Sequence, residues 1–155
     1  MTKSHGVILL ALLVLSGCAP KLPKGVDEYR FYETVSGAIG DPASCLLLAD
    51  KASGRLVYRY NKPQACARQL PACDAPGRRK LQDLLDQTAK DGQVRTLSCN
   101  SLADGSRGVG WAAGPVGGSG PGRKLVYAAM MEGDRAFPGR MMAERLATAF
   151  KDAGL

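Results

Sequence analysis

The amino-acid sequence predicts an α+β fold, a mostly antiparallel five-stranded sheet with flanking helices in the order α-β-β-α-β-β-β-α. Three observations lead there. Short apolar or alternating runs, bounded by glycine, proline and aspartate, recur at 45–60, 93–113 and 125–131. Three other segments repeat apolar side chains every three or four residues, as one face of a helix does. A composition that is 45% hydrophobic and 23% charged supports a packed core and leaves no case for general disorder.

The elements follow in chain order. From Val26 to Ile39, Tyr29, Tyr32, Val35 and Ile39 share a helical face, and Gly40-Asp41-Pro42 stops the helix. Cys45 to Ala49 and Arg55 to Tyr60 read as a hairpin around the five-residue turn Asp50-Lys51-Ala52-Ser53-Gly54. Pro63 ends the second strand because it has no N–H for a ladder. Leu81, Leu84, Leu85 and Thr88 place a helix over 78–90, stopped by Asp91-Gly92. Arg78-Arg79-Lys80 is read as its solvated start, with a binding patch as the alternative. Gln93 to Cys99 alternates imperfectly, Val109 to Ala113 is the next strand, and Leu125 to Met131 (LVYAAMM) is the clearest one. A final helix starts near Pro138, with Met142, Leu146, Ala149, Phe150 and Ala153 on one stripe.

The amino-terminal stretch has a different character. Lys3 precedes an uninterrupted apolar run of nine residues, Val7 to Leu15. Such a run is ~14 Å long as a helix, against ~30 Å of hydrocarbon, so it is too short for a permanent span. Leu15-Ser16-Gly17-Cys18 follows directly and resembles the lipobox of bacterial lipoproteins. That resemblance covers residues 1–18. It implies a signal peptide at 1–17, removed before Cys18, with lipid (palmitate among the acyl chains) on the Cys18 sulfur and amino end. Ala19 resembles the outer-membrane form of the sorting rule, which implies a protein lipid-anchored in the cell envelope, at the outer membrane and facing the periplasm. The alternative is an ordinary secreted protein in which Cys18 is only a cysteine. Residues 18–25, with two prolines and two lysines, form the lipidated tether, and 26–155 a single disulfide-stabilised domain.

Charge and histidine content narrow the function classes. Loss of Lys3 with the signal leaves a formal charge of +6 on the mature chain, one less than the +7 of the whole. A basic body suits anionic lipid headgroups, envelope polyanions or an acidic partner. Its cations read as dispersed, and the export address argues against nucleic acid. The one histidine, His5, lies within the signal. The mature chain therefore has no imidazole for Ser-His-acid or Cys-His catalysis or for a histidine-ligated metal.

Four cysteines remain, Cys45, Cys66, Cys73 and Cys99, an even number in an oxidising compartment. They allow three pairings. The six-residue, proline-containing spacer between Cys66 and Cys73 favours a local bridge, which leaves Cys45 with Cys99 across 53 residues. A four-thiolate zinc site lacks any C-x₂₋₄-C pair, and a C-x-x-C redox pair is absent. No metal and no cofactor are expected.

Other features carry two readings. Gly114 to Gly122 with Arg123 and Lys124 has the glycines of a phosphate loop, but G-x-x-x-x-G-K-[ST] is not met, so a flexible hairpin loop is preferred to an anion nest. Trp111 is core packing or a ligand platform. Met130-Met131 and Met141-Met142 are adaptable core or an apolar binding surface. Glu132 and Asp134 are a candidate carboxylate pair for glycoside chemistry, or turn residues before the last helix. Asp41, Asp91 and Asp104 read as turn formers, without an EF-hand loop.

Two resemblances concern the domain. Its element order resembles roadblock/longin domains, which implies an interaction platform and a homodimer as one option. LLLADKASGRLVYRY, GVGWAAGP, KLVYAAMMEG and PGRMMAERLATAFKDAGL resemble sheet segments of penicillin-recognising serine enzymes. That family's S-x-x-K and K-T-G are missing from the mature chain, so the resemblance implies no activity.

The expectation for function is a non-catalytic envelope lipoprotein that binds or scaffolds another envelope protein, attached to the membrane through Cys18. Its binding residues are sought at Trp111, Arg123 and Lys124, on an exposed sheet face or edge. The alternatives are a carrier or sensor of a small or lipidic ligand, with Trp111, Tyr127, Met130 and Phe150 lining its cavity, and a histidine-free hydrolase.

Overall fold

The computed structural model describes residues 19–155, so the expected signal peptide and the expected lipidation site, Cys18, lie outside the described residues. Helix α1 covers Glu28–Ile39, and strands β1 and β2 cover Cys45–Asp50 and Leu56–Tyr60. A one-turn helix α2 (Pro63–Cys66) and a small ribbon of β3 (Leu70–Pro71) with β4 (Arg78–Arg79) precede α3 (Leu81–Asp91). Strands β5 (Arg95–Asn100) and β6 (Gly108–Pro115), a 3-10 turn (Pro121–Lys124), β7 (Leu125–Gly133) and α4 (Gly139–Asp152) complete the chain. The fold is α+β, as the periodicities predict. Five strands form one sheet in the order β2-β1-β7-β6-β5, with every neighbouring pair antiparallel.

The local chemistry explains the element ends. The Asp27 carboxylate caps α1 by accepting from the Arg30 N–H at 2.7 Å. Gly92 stops α3 at φ 66°, the left-handed conformation that glycine adopts without a Cβ clash. The helix expected over 78–90 starts only at Leu81, which corrects the reading of Arg78-Arg79-Lys80 as a helix start. The Ala72 N–H donates to the Gly77 carbonyl and folds the chain back, so Arg78 and Arg79 pair with Pro71 and Leu70.

Both faces of the central strands are covered, which overturns the expectation of an exposed sheet face. Strands β2 and β5 remain as edges, and Thr96, Ser98 and Asn100 of β5 are exposed. Along β7 the side chains alternate strictly between two cores. Leu125, Tyr127, Ala129 and Met131 join the side under α1 and α4, while Val126, Ala128 and Met130 join the side under α3. A strand buried on both faces loses the polar alternation of a half-exposed one, which accounts for the continuous LVYAAMM. Small residues set the spacing of the first layer. A Cβ at Gly110 would overlap the Phe137 carbonyl, and one at Gly139 would lie 2.6 Å from the Leu97 backbone N and O. The start of α4 therefore lies directly on the backbone of β5 and β6. Arg145 of α4 donates to the Ala38 and Gly37 carbonyls at 2.7 and 3.0 Å, closing the carboxy-terminal end of α1.

The disulfides are Cys45–Cys66 and Cys73–Cys99, with Cα separations of 5.3 and 5.5 Å. The pairing expected from spacing, 66–73 with 45–99, is wrong for a topological reason. Strands β1 and β5 are separated by β7 and β6, so Cys45 and Cys99 stand about three strand spacings, ~14 Å, apart. No bridge spans that distance. Each cystine instead joins a sheet strand to the 62–80 segment that crosses the sheet.

Candidate functional site

The antiparallel sheet has two distinct ends. One end gathers the close of β1, the start of β2 and the start of β7; the other gathers the start of β1, the close of β2 and the close of β7. From Leu125 to Glu132 the distance along β7 is ~23 Å at the usual strand rise. Each end carries a charged constellation.

The first end holds Arg123 and Lys124, both exposed, on the 3-10 turn before β7. The Lys51 N–H donates to the Lys124 carbonyl at 2.8 Å, which ties the β1–β2 turn to that 3-10 turn. Two adjoining clefts of about 590 and 480 Å³ share Asp50, Arg123 and Lys124. The smaller also takes in Lys21 and Lys24 of the tether and Arg55 of the hairpin, and the larger takes in Lys51. Asp50 is the acidic residue among these, and its carboxylate accepts from the Ser53 hydroxyl and N–H at 2.7 and 2.8 Å. Those two bonds hold its carboxyl below the ordinary range and fix the turn. The tether is not free along its whole length, because Leu22 and Val26 pack against the α1/α4 core.

The second end is built around Glu132, the last side chain of β7 on the α3 side. Its carboxyl is 6% exposed. It accepts from Arg107 Nε and Nη2 at 2.8 and 3.0 Å, from Arg68 Nη2 at 2.7 Å and from Ser101 Oγ at 2.9 Å. The Arg107 bonds above all, with Arg68 and Ser101, hold the carboxyl down at about 2 despite its burial. An acid that stays ionised at neutral pH and has its oxygens occupied is no proton donor, and Asp134 is exposed in the turn beyond it. These contacts leave Glu132 unsuited to the acid role in a glycosidase pair. Arg68 and Arg107 remain 36% and 42% exposed, each with N–H groups turned to solvent and its position held by the buried carboxylate. Leu102 is exposed beside them on the β5–β6 connection. Asn61, at φ 75°, closes the neighbouring loop by donating to the carbonyls of Asp41, Pro42 and Ser44.

Trp111 does not join Arg123 and Lys124. It is 0% exposed, lies in the α3-side core, and its indole N–H donates to the Pro71 carbonyl at 2.9 Å. Trp111 is thus a core residue and no surface platform, since the 62–80 segment covers the sheet face on which it stands. Met130 shares that core, whereas Tyr127 and Phe150 belong to the other one. The four side chains named for a ligand cavity therefore point to opposite faces of the sheet. Met130, Met131 and Met142 are core, and Met141 is exposed.

Arg68, Arg107 and Ser101 escaped the sequence reading. One signal was present: Glu132 directly continues the apolar run of β7, and a carboxylate in line with a core face needs cationic partners. The basic end escaped because its six cations come from three separate stretches of the chain. Among the described residues, no group of three or more His, Cys, Asp or Glu is placed to hold a metal ion, and no helix is long and apolar enough to cross a membrane. No family model, no curated protein and no solved structure matches the chain.

Proposed function

We propose that the protein is an envelope lipoprotein, anchored through lipidated Cys18 at the outer membrane, that acts by holding another envelope protein and performs no bond chemistry. The observation that carries this reading is the division of the sheet into two ends. The tether leaves beside the basic end, and the two arginines pinned by Glu132 stand ~23 Å away at the other, directed away from the anchor. Guanidinium groups already oriented by a buried carboxylate lose little freedom on meeting a partner's carboxylate, which makes the Arg68–Arg107–Leu102 end the partner-facing surface.

Two measurements test it. Mass spectrometry of the protein from its native host finds a first residue Cys18 carrying acyl chains; an intact 1–155 chain with a free Cys18 overturns the anchor. A photo-crosslinking residue at Leu102 captures an envelope protein in intact cells, one at exposed Asp86 on α3 captures it far less, and Arg68→Gln with Arg107→Gln removes the capture. Turnover of a peptidoglycan or ester substrate by the purified protein, lost on changing one acidic or serine residue, overturns the binding role.

A further inference from the structure

We infer that the end of the domain bearing Lys21, Lys24, Lys51, Arg55, Arg123 and Lys124 is a docking surface for anionic phospholipid headgroups, so that the domain lies on the leaflet that holds its anchor. The inference rests on the anchor reading for its place in the cell, and on the described residues for its chemistry.

Charge is the first argument. The six cations are exposed, and none of them forms an ion pair among the described residues. The one carboxylate lining the same clefts, Asp50, is turned into its own loop by Ser53. Side-chain charge over residues 19–155 sums to +6, and this end alone accounts for +5 of it. Elsewhere on the surface the charges are largely compensated: Arg79 by Asp74, Arg95 by Asp91, and Arg68 with Arg107 around Glu132. Two exposed acids, Asp27 and Glu28, follow the tether in the chain and line neither cleft, and the Asp27 carboxylate caps α1 by accepting from the Arg30 N–H.

Reach is the second. Leu22 is packed against the core, so four residues at most separate a fixed point of the domain from Cys18. That is ~14 Å of extended chain. A body held so close presents to the bilayer the side from which the tether emerges, and here that side is the basic one. The attraction of cations to an anionic leaflet is felt within a Debye length, ~8 Å at physiological ionic strength, a gap that this tether lets the domain close. A phosphodiester surface also fits the shape: two open clefts beside each other with cations around their rims, and no deep enclosed seat for a single small anion.

The test uses the chain from residue 19, which holds every described core residue and both disulfides and lacks the lipid attachment site. Sedimentation with phosphatidylcholine vesicles is compared with sedimentation with vesicles containing about one third phosphatidylglycerol. Binding to the anionic vesicles alone is expected, and it should vanish at 0.5 M salt. Each cation near such a surface multiplies the partition coefficient about fivefold, so Arg55→Gln/Arg123→Gln/Lys124→Gln lowers it by roughly a hundredfold. Lys62→Gln/Arg135→Gln/Arg140→Gln removes the same charge elsewhere and should change it severalfold at most. Equal loss in the two triple variants, equal binding to neutral vesicles, or no binding to either overturns the inference. Competition by millimolar inorganic phosphate at constant ionic strength does so too, because it points to a site for the free ion. Because the chain tested lacks Cys18, vesicle binding by a protein found unlipidated in its host defeats only the anchor reading. Failure to bind by one found lipidated defeats only the docking surface.

Discussion

On one face of the sheet, α1 and α4 lay helices of 12 and 14 residues across the strands, knit by Phe31, Tyr58, Tyr127 and Phe150 with ring centroids 4.8 to 6.1 Å apart. On the other, α3 supplies 11 residues and the remaining cover is the 62–80 segment, whose longest element is the four-residue α2. The first layer carries no covalent crosslink. In the second, both disulfides secure the 62–80 segment to the sheet. Long amphipathic helices bury enough apolar area to hold themselves in place, whereas a two-residue ribbon and one helical turn do not. The crosslinks stand where local structure is too short to persist.

Breaking that asymmetry gives the largest expected effect. Cys66→Ser with Cys73→Ser opens both bridges, whose loops span 21 and 26 residues, and should lower stability by about 7 kcal/mol on the loop-closure argument. Hydrogen exchange in the variant should accelerate first over 62–80 and last in α1 and α4. Uniform acceleration would show that the two layers are not held separately. Non-reducing peptide mapping of the native protein should link Cys45 to Cys66 and Cys73 to Cys99.

Trp111→Ala comes next. It removes the largest buried side chain of the crosslinked side together with the hydrogen bond to Pro71, at a cost of ~3–5 kcal/mol in urea unfolding. Trp111→Phe keeps much of the volume and should cost less. An unchanged midpoint for both would mean that Trp111 does not anchor the 62–80 cover.

The helical side is sharpened by Gly139→Ala. The added methyl meets the backbone of β5 and β6, which cannot move as a side chain does, so α4 must lift by a few tenths of an ångström or more. A loss of ~1–3 kcal/mol is expected, read as a lower melting temperature with both disulfides intact. Equal stability would show that α4 does not rest on those strands.

The smallest effect concerns the pinned carboxylate. Glu132 titrates at about 2 in the folded chain against 4.5 ordinarily, so its contribution is complete above about pH 4.5 and fades as the pH falls toward 2. Its partners are partly exposed and screened by water, which leaves about 1–2 kcal/mol. Stability of the wild type and of Glu132→Gln, compared from pH 7 to pH 3, should converge as the acid limb is approached. Parallel curves would remove the ion pairs from the account.

Much of the fold was legible in the chain because its signals are local. Period-two and three-to-four-residue patterns, Gly92 after α3 and the turn at 50–54 each act within a few residues, and they yield the α+β class and the order of its main elements. The 62–80 segment carries no such pattern. Its two-residue strands exist only through each other and through the cystines, so β3, β4 and the true start of α3 could not be read in advance.

Strand order was the missing quantity. Amino-acid patterns place Cys45 and Cys99 on strands but not three strand spacings apart, and that separation decides the disulfide pairing. The same holds for Trp111, whose burial depends on a cover from residues some forty positions earlier. By itself the sequence determines the types of the main elements, the apolar faces of α3 and α4, the even set of cysteines after Cys18, the absence of histidine after His5 and the lipobox-like LSGC. The face of α1 it misplaced, since Tyr29 and Tyr32 are exposed and Phe31 is buried instead. Only the tertiary structure brings Arg68, Ser101 and Arg107 onto Glu132, and Lys21, Lys24, Lys51, Arg55, Arg123 and Lys124 to one end. Hydrophobic periodicity is written along the chain, whereas charge clusters form between residues that the antiparallel pairing of β1, β2 and β7 makes neighbours at one end, and that of β5, β6 and β7 with the 62–80 cover at the other.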